Sequence, residues 1–311
     1  MFRPEIKVFD CTIRDGGLMN NWDFDEKLVK GVFEAMVAAG VDYTELGYRV
    51  SKKIFSPKEH GPWRFSDEET LRKVAYECDT KISVMLDMGR VGIEDVIPKS
   101  ESIIHTMRLA TYVKDIDKAL EMGKQVKDMG YEVFVNIMAV SHALEPDLDE
   151  ALQQCANSNI DGVYLVDSFG YLYSEQIQYL CKKYLRNLPG KKIGVHCHNN
   201  QQLAFANTIE AIICGVNYLD ATIYGIGRAA GNCPLELLMG FLKNPKFKLE
   251  PILNLISSDF KPLHQKLEWG YQIPYAITGM LNKHPKIAMA LMKSDKKDDF
   301  AEFYGSVVDL A

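Results

Sequence analysis

No stretch of the 311 residues holds about 18 consecutive apolar side chains, the length a membrane-crossing helix requires, so no transmembrane span is expected. The start, MFRPEIKVFD, lacks the apolar run and small-residue cleavage site of an export signal and reads as a first strand. Paired cysteines are missing too. The seven cysteines (Cys11, Cys78, Cys155, Cys181, Cys197, Cys214 and Cys233) are odd in number, scattered and without a CxxC, which fits reduced thiols in a cytoplasmic protein. A basic excess is also absent. The formal net charge of -6 argues against nucleic acid as the main partner, yet leaves room for a local basic pocket that takes a small anion. Beyond the βα unit there is no internal repeat, and no low-complexity segment.

With 47% apolar and 25% charged residues, the chain has the composition of an ordinary globular protein. Eight short β-branched runs appear in the first two-thirds: Ile6–Cys11, Val41–Leu46, Ile82–Leu86, Ile103–Leu109, Glu132–Ile137, Gly162–Val166, Lys192–Cys197 and Tyr218–Tyr224. Helical patterns lie between them at Glu26–Ala39, Asp67–Glu77, Ile116–Met129, Leu148–Ser158, Ser174–Leu185 and Leu203–Cys214. Strands alternating with helices imply right-handed βαβ units and a parallel sheet. Eight units over residues 1–244 predict a TIM (β/α)₈ barrel in preference to an open doubly wound sheet. From about Pro245 the strand signal stops. Residues 245–311 then read as a C-terminal helical extension that covers the barrel or mediates oligomer contacts, with helices at Leu249–Ser257, Leu263–Trp269, Pro274–Asn282, Ile287–Met292 and Asp298–Val308. Ser66 with Glu69 reads as a capping box, and Asp115 and Asp147 as caps of the next two helices. The long segment from Tyr48 to Phe65 carries Arg49, Lys52, Lys53, Lys58, His60 and Arg64. It reads either as a solvated basic loop or as a lid that meets an anionic substrate.

Barrel enzymes place their chemistry at the carboxyl ends of the strands. The polar residues there are Thr12, Arg14 and Asp15, then Glu45, Asp87, Arg108, Asn136 and Asp167, then His196, His198, Asn199 and Asn200, and finally Arg228 and Asn232. In His196-Cys197-His198 both imidazoles point to one face of the strand and Cys197 to the other. Strands seven, eight and one become neighbours once the sheet closes, so Asp15 and Asn232 join the two histidines. Such an N/O donor set suits a divalent ion, Mn²⁺ first and Mg²⁺, Zn²⁺ or Co²⁺ as alternatives. Arg14 has two readings, a salt bridge at the mouth or a stabiliser of an enolate oxygen. Gly225-Ile-Gly227-Arg-Ala-Ala230 fits the loose dinucleotide pattern G-x-G-x-x-G/A. On the last strand of a barrel it reads instead as small residues that let the backbone approach the site.

Taken together, Asp10-Cys-Thr-Ile-Arg14-Asp15-Gly16, Gly194-Val-His196-Cys-His198-Asn-Asn and Gly225-Ile-Gly-Arg-Ala-Ala-Gly-Asn232 resemble the DRE-TIM metallolyase superfamily, above all its 4-hydroxy-2-oxovalerate aldolases. The similarity runs on through Arg108-Leu-Ala-Thr111, Met138-Ala-Val-Ser-His142, Val163-Tyr-Leu-Val-Asp-Ser168 and Leu267-Glu-Trp-Gly-Tyr271. It implies metal ligands at Asp15, His196 and His198, with Asn232 as a further one, and catalytic roles for Arg14, Tyr271 and the strand-two Glu45. Arg108, Asn136, Asp167 and Arg228 are expected to bind substrate. The family's catalytic histidine, three residues after the motif aspartate, is replaced by Leu18. Tyr271, His60, His142, Glu45 or a metal-bound water must then take its proton-transfer role. The expected activity is cleavage or formation of a carbon–carbon bond beside a small-molecule 2-oxo acid, in a homo-oligomer. A Claisen-type acyl-CoA acyltransferase and a metal-binding barrel without aldolase activity are the alternatives.

Overall fold

The computed structural model describes residues 3–308. Met1, Phe2 and the last three residues of the expected extension lie outside the described residues. Eight parallel strands close into a barrel in sequence order: β1 Lys7–Asp10, β2 Tyr43–Arg49, β3 Lys81–Asp87, β4 Thr106–Thr111, β5 Glu132–Ile137, β6 Gly162–Asp167, β7 Lys192–Cys197 and β8 Tyr218–Ala221. The helices that alternate with them begin with α1 Thr12–Gly16, a short turn after β1, and α2 Glu26–Ala39. Next come α3 Glu68–Val74, α4 Ile116–Asp128, α5 Glu145–Asn157, α6 Ser174–Asn187, α7 Ala204–Cys214 and α8 Leu235–Leu242. The extension supplies α9 Glu250–Leu255, α10 Lys261–His264, α11 Ile273–Met280, α12 Lys286–Leu291 and α13 Phe300–Val308.

The predicted barrel is therefore present, with local departures that have physical causes. β2 runs three residues past the expected Leu46, because Gly47, at φ 102°, shifts the register against β3 between Glu45 and Tyr48. α3 is capped by Asp67, which accepts the Thr70 N–H at 3.0 Å. Ser66 is not the cap. Its φ is 39°, and its hydroxyl donates to Leu46 O at 2.6 Å. Asp115 makes no side-chain cap bond, and Asp147 lies inside α5, whose cap position is Leu144. Of the expected Leu263–Trp269 only Leu263 and His264 are helical, at the end of α10.

Inside the barrel, packing and charge are layered. At the amino end Phe9 stacks on Tyr43 at 3.9 Å, and Phe134 and Tyr164 meet Phe9 edge-on at 5.9 Å each. This aromatic plug keeps water from that end. Arg108 lies on the plug, its guanidinium 4.8 Å from the Phe9 ring and 4.4 Å from Tyr164. It opens the ionic layer that carries the site above it. A separate apolar cluster of Tyr275, Ile277, Ala288, Phe303 and Val307 seats the extension on Ala229 and Ala230. Among the described residues no helix is long and apolar enough to cross a membrane.

Candidate metal centre and active site

Barrel closure pairs β1 with β8 in parallel, Asp10 opposite Ala221, and β8 with β7, Gly194 opposite Tyr218. The carboxyl ends of these three strands therefore meet. Asp10 is wholly buried and fixes the turn that leaves β1: its carboxylate accepts the Thr12 backbone N–H at 3.0 Å, the Thr12 hydroxyl, and the Thr44 hydroxyl at 3.0 Å. Thr12 in turn accepts the Ile223 N–H at 2.8 Å. α1 is thus anchored to β2 and to the segment after β8, and it presents Arg14 and Asp15 at the mouth. An isolated antiparallel bridge joins His198 to Asn232.

The structure brings together Asp15, His196 and His198, whose ligand atoms all lie within 4.8 Å of one another. Each histidine has one nitrogen committed and the other available. Asp220 Oδ2 lies 3.0 Å from His196 Nδ1, while His196 Nε2 is buried with no hydrogen-bond partner. His198 Nδ1 lies 3.3 Å from Gly231 O, which can only accept, so the Nε2 lone pair stays free. Asn232 Nδ2 donates to Asp15 Oδ2 at 2.6 Å, and Asn232 Oδ1 is a second buried atom without a partner. Burial alone would raise the Asp15 carboxyl, but Arg14 and the two imidazoles outweigh it and hold it well below the usual carboxylate range. Burial, with Arg228, Arg14 and His196 nearby, pushes His198 well below the ordinary imidazole value despite the opposing Asp15. A deprotonated Asp15 carboxylate, a neutral His198 and the unpartnered His196 Nε2 and Asn232 Oδ1 together form a donor set that fits a divalent cation.

Gly227 shows how tightly the backbone closes on this set. A Cβ there would stand 2.5 Å from Asp15 Oδ2 and overlap Asn232 Nδ2. The expectation that small residues allow this approach agrees with the geometry.

Below the triad runs a buried ionic chain. Arg14 Nη1 donates to Asp15 Oδ1 and Arg14 Nε to Glu45 Oε2, both at 2.7 Å. Arg108 Nε lies 3.0 Å from Glu45 Oε1, and Arg108 Nη1 and Nη2 clasp the two Asp220 oxygens at 2.7 and 2.6 Å. Burial favours a neutral Asp220, but Arg108 and His196 overcome it and keep the carboxyl well below its ordinary range.

This chain corrects several expectations. Arg108 is fully buried and occupied by Asp220 and Glu45, so it does not reach a substrate. Glu45 is fully buried and holds two arginines, which makes it a positioning residue without a free oxygen for proton transfer. Asp167 faces the loop after β6, accepting the N–H groups of Tyr171 and Leu172 at 3.0 and 3.2 Å. Tyr271 is 59% exposed and does not line the cavity. His60 belongs to a separate cleft in the β2–α3 loop, and His142 Nε2 lies 2.7 Å from Asn282 O. The basic loop is not a lid over the triad. Lys52 pairs with Asp67, Lys53 with Glu94, and Arg64 lies against the Trp22, Tyr48 and Phe55 rings.

The cavity at the mouth is small, about 70 Å³. Arg14, Asp15, Leu18, His196, His198 and Arg228 line it, with Tyr48, Asn136, Ser168 and His284 also on its walls. Asn136 and Arg228 thus lie where substrate-binding groups were expected. Arg228 Nη2 donates to Ser168 O at 2.7 Å, and its Nε is buried without a partner. Two residues escaped the sequence reading. Asp220 sits within β8, away from the strand ends where barrel chemistry is expected; an acid in the middle of a barrel strand is the signal that marks it. His284 comes from the extension, where no motif marked it.

A closed barrel that brings an aspartate, two histidines and a guanidinium to its carboxyl mouth is built as a carbon–carbon lyase. The chain belongs to the HMGL-like family, whose model matches residues 5–257. It is 31% identical over 254 residues to a 4-hydroxy-2-oxovalerate aldolase of Pelotomaculum thermopropionicum, covering 79% of this chain and 72% of that protein. It is 29% identical over 243 residues to an oxaloacetate decarboxylase of Mycobacterium tuberculosis, covering 76% of this chain and 69% of the relative. The crystal structure of the N-terminal domain of a putative aldolase from Bacteroides vulgatus superposes with a TM-score of 0.80 at 30% identity, over 95% of this chain and 100% of that one.

Proposed function

We propose that this lyase makes or breaks the C3–C4 bond of a 4-hydroxy-2-oxo acid through a pyruvate-type enolate, with a divalent ion, Mn²⁺ first, held by Asp15, His196, His198 and Asn232. The observation that carries the reading is the triad with its unpartnered His196 Nε2, set beside Arg14 in one cavity. When bound, the ion would supply Lewis-acid stabilisation of negative charge on the 2-oxo oxygen. Arg14 adds a guanidinium held rigid by Asp15 and Glu45, so it meets the developing enolate charge without reorganising. Arg228, with its unpartnered Nε, and Ser168 suit the substrate carboxylate, while the Asn136 amide faces the same small room. The aromatic plug and the buried arginine layer beneath exclude water from the enolate's lower side.

Leu18 favours a second reading on the same machinery. It lines the cavity and cannot carry a proton. Loss of CO₂ from a 3-carboxylated 2-oxo acid reaches the same enolate with no hydroxyl to deprotonate. Both readings are tested by exchange of pyruvate methyl protons with deuterated solvent in the presence of Mn²⁺. The parent should exchange, and Asp15→Asn and His196→Ala should lose at least about 100-fold. Equal exchange in parent and variants would remove the proposed ligand set.

A further inference from the structure

The inner cavity does not end at its own walls. Tyr112, Met138, Phe169 and His284 line it and also line a second groove of about 380 Å³, which runs outward past Val113, His142 and Leu144. The groove offers mainly apolar surface. Leu144 is 68% exposed and Tyr112 45%, and the charged Lys114 and Asp147 are solvent-exposed. Its walls are fastened together. Asn282, at φ 53°, accepts the Ser141 hydroxyl at 2.8 Å through Oδ1 and donates from Nδ2 to Ser141 O at 3.2 Å. His142 donates to Asn282 O at 2.7 Å. The turn after α11 is thereby tied to the loop before α5, and His284 is set 5.5 Å from the Phe169 ring.

His284 closes the junction between the two spaces. Its Nδ1 accepts the Lys286 N–H at 3.1 Å, so the ring proton sits on Nε2. Burial first, then Arg228, Lys286 and His142, bring its pKa down to about 4, which leaves a neutral donor at pH 7.

A three-carbon 2-oxo acid uses the inner room, so whatever is bonded to its C3 must continue through the Tyr112–His284 junction. We propose that the second reactant is an aldehyde bearing an apolar chain of several carbons, seated in the groove between Leu144 and Phe169 with its oxygen on His284. This rests on the aldolase reading above. In cleavage the C4 hydroxyl proton passes to solvent and the O–H electron pair forms the aldehyde C=O. The C3–C4 pair moves into the enolate, which then takes a proton at C3. The Nε2–H of His284 donates to the C4 oxygen while it bears charge, much as a neutral imidazole serves as an electrophile elsewhere.

The test measures kcat/KM for condensation of pyruvate with straight-chain aldehydes from acetaldehyde to hexanal, using the full chain with Mn²⁺. Pyruvate proton exchange is measured alongside. The expected gain is about fourfold per methylene seated in the groove. Leu144→Ser should cut the hexanal-to-acetaldehyde ratio at least threefold. The position is an exposed helix cap that serine suits, so the variant should fold. Exchange with equal or lower kcat/KM for hexanal overturns the inference and spares the enolate reading. So does an unchanged ratio in Leu144→Ser. If that variant instead alters the molar mass in solution, a second copy of the chain covers the groove and the inference is overturned. Absence of exchange in the parent removes the enolate reading, and the inference with it.

Discussion

Asp220 Oδ2 lies 3.0 Å from His196 Nδ1 and 2.6 Å from Arg108 Nη2, so one carboxylate both orients a candidate metal ligand and neutralises a fully buried arginine. With its proton held on Nδ1, His196 presents Nε2 to the triad in the tautomer a cation needs. Asp220→Asn keeps the shape but removes the charge. It should weaken Mn²⁺ binding about 10- to 100-fold, read by calorimetric titration. It should also lower stability by about 3–5 kcal/mol, read by urea unfolding, because Arg108 keeps only Glu45 as an ionic partner. A variant that binds Mn²⁺ as the parent does would show that Asp220 serves the barrel and not the ligand.

Gly227→Ala tests the close approach of the loop after β8. The added methyl would collide with Asn232 Nδ2 and stand 2.5 Å from Asp15 Oδ2. Relief requires the loop to move or Asp15 to turn away from the histidines. Mn²⁺ affinity should fall at least about tenfold, while the melting temperature of the metal-free protein drops by no more than about 4 °C. The reverse pattern, intact affinity with a large loss of stability, would place the strain outside the site.

The barrel was legible because its signals are local. β5 and β7 match their β-branched runs residue for residue, and α2 matches its amphipathic stretch with Gly40 as the left-handed stop. α8 was not legible: Leu235–Leu242 is apolar nearly all round, so its buried face of Leu235, Leu238, Met239 and Leu242 does not stand out in the sequence. The triad was legible once the barrel closed, since i, i+2 histidines and the aspartate after β1 fall on adjacent strand ends. Residue roles inside the barrel were less legible. An arginine on an inward face looks the same in sequence whether it meets a substrate or, like Arg108, a carboxylate from the opposite strand. Tyr271 and His284 both lie in the extension. Which of them reaches the mouth depends on tertiary contacts, the apolar seat on Ala229 and Ala230 and the Asn282–Ser141 bonds, that leave no periodic trace.

Asp167 gives a pH signature. Burial raises its carboxyl to about 7, against the backbone N–H groups of the loop after β6 that favour the charged form. The folded-state value thus lies above the unfolded one of about 3.9. The folded protein binds the extra proton in this window, so the contribution is fully present below about pH 4 and is lost as pH rises toward 7. For this one group the slope is at most about 1.4 kcal/mol per pH unit. Asp10, also raised by burial, to about 6, adds a similar slope over a narrower window. Asp167→Asn should flatten the decline in urea stability between pH 5 and 7 relative to the parent. An unchanged slope would mean that the loop N–H groups keep Asp167 ionised in the fold.

Leu18 offers a gain-of-function test. It follows α1 in the short turn Gly17–Met19 and lines the same cavity as Arg14, the two histidines and Arg228. The side chain is partly exposed, so a change of polarity there leaves no charge stranded in the core. Leucine cannot take the proton of a C4 hydroxyl, so in the proposed cleavage that proton passes to solvent. Leu18→His introduces an imidazole whose ordinary pKa of about 6.5 suits proton transfer near neutrality. Cleavage of a 4-hydroxy-2-oxo acid should then accelerate about 10²-fold, with a new ionisation on the acid limb of its kcat/KM profile. Decarboxylation of oxaloacetate, which has no such proton to lose, should change far less. Equal acceleration of both reactions would mean that the histidine acts on the enolate end, and no acceleration of either would mean that this corner of the cavity never meets the C4 oxygen.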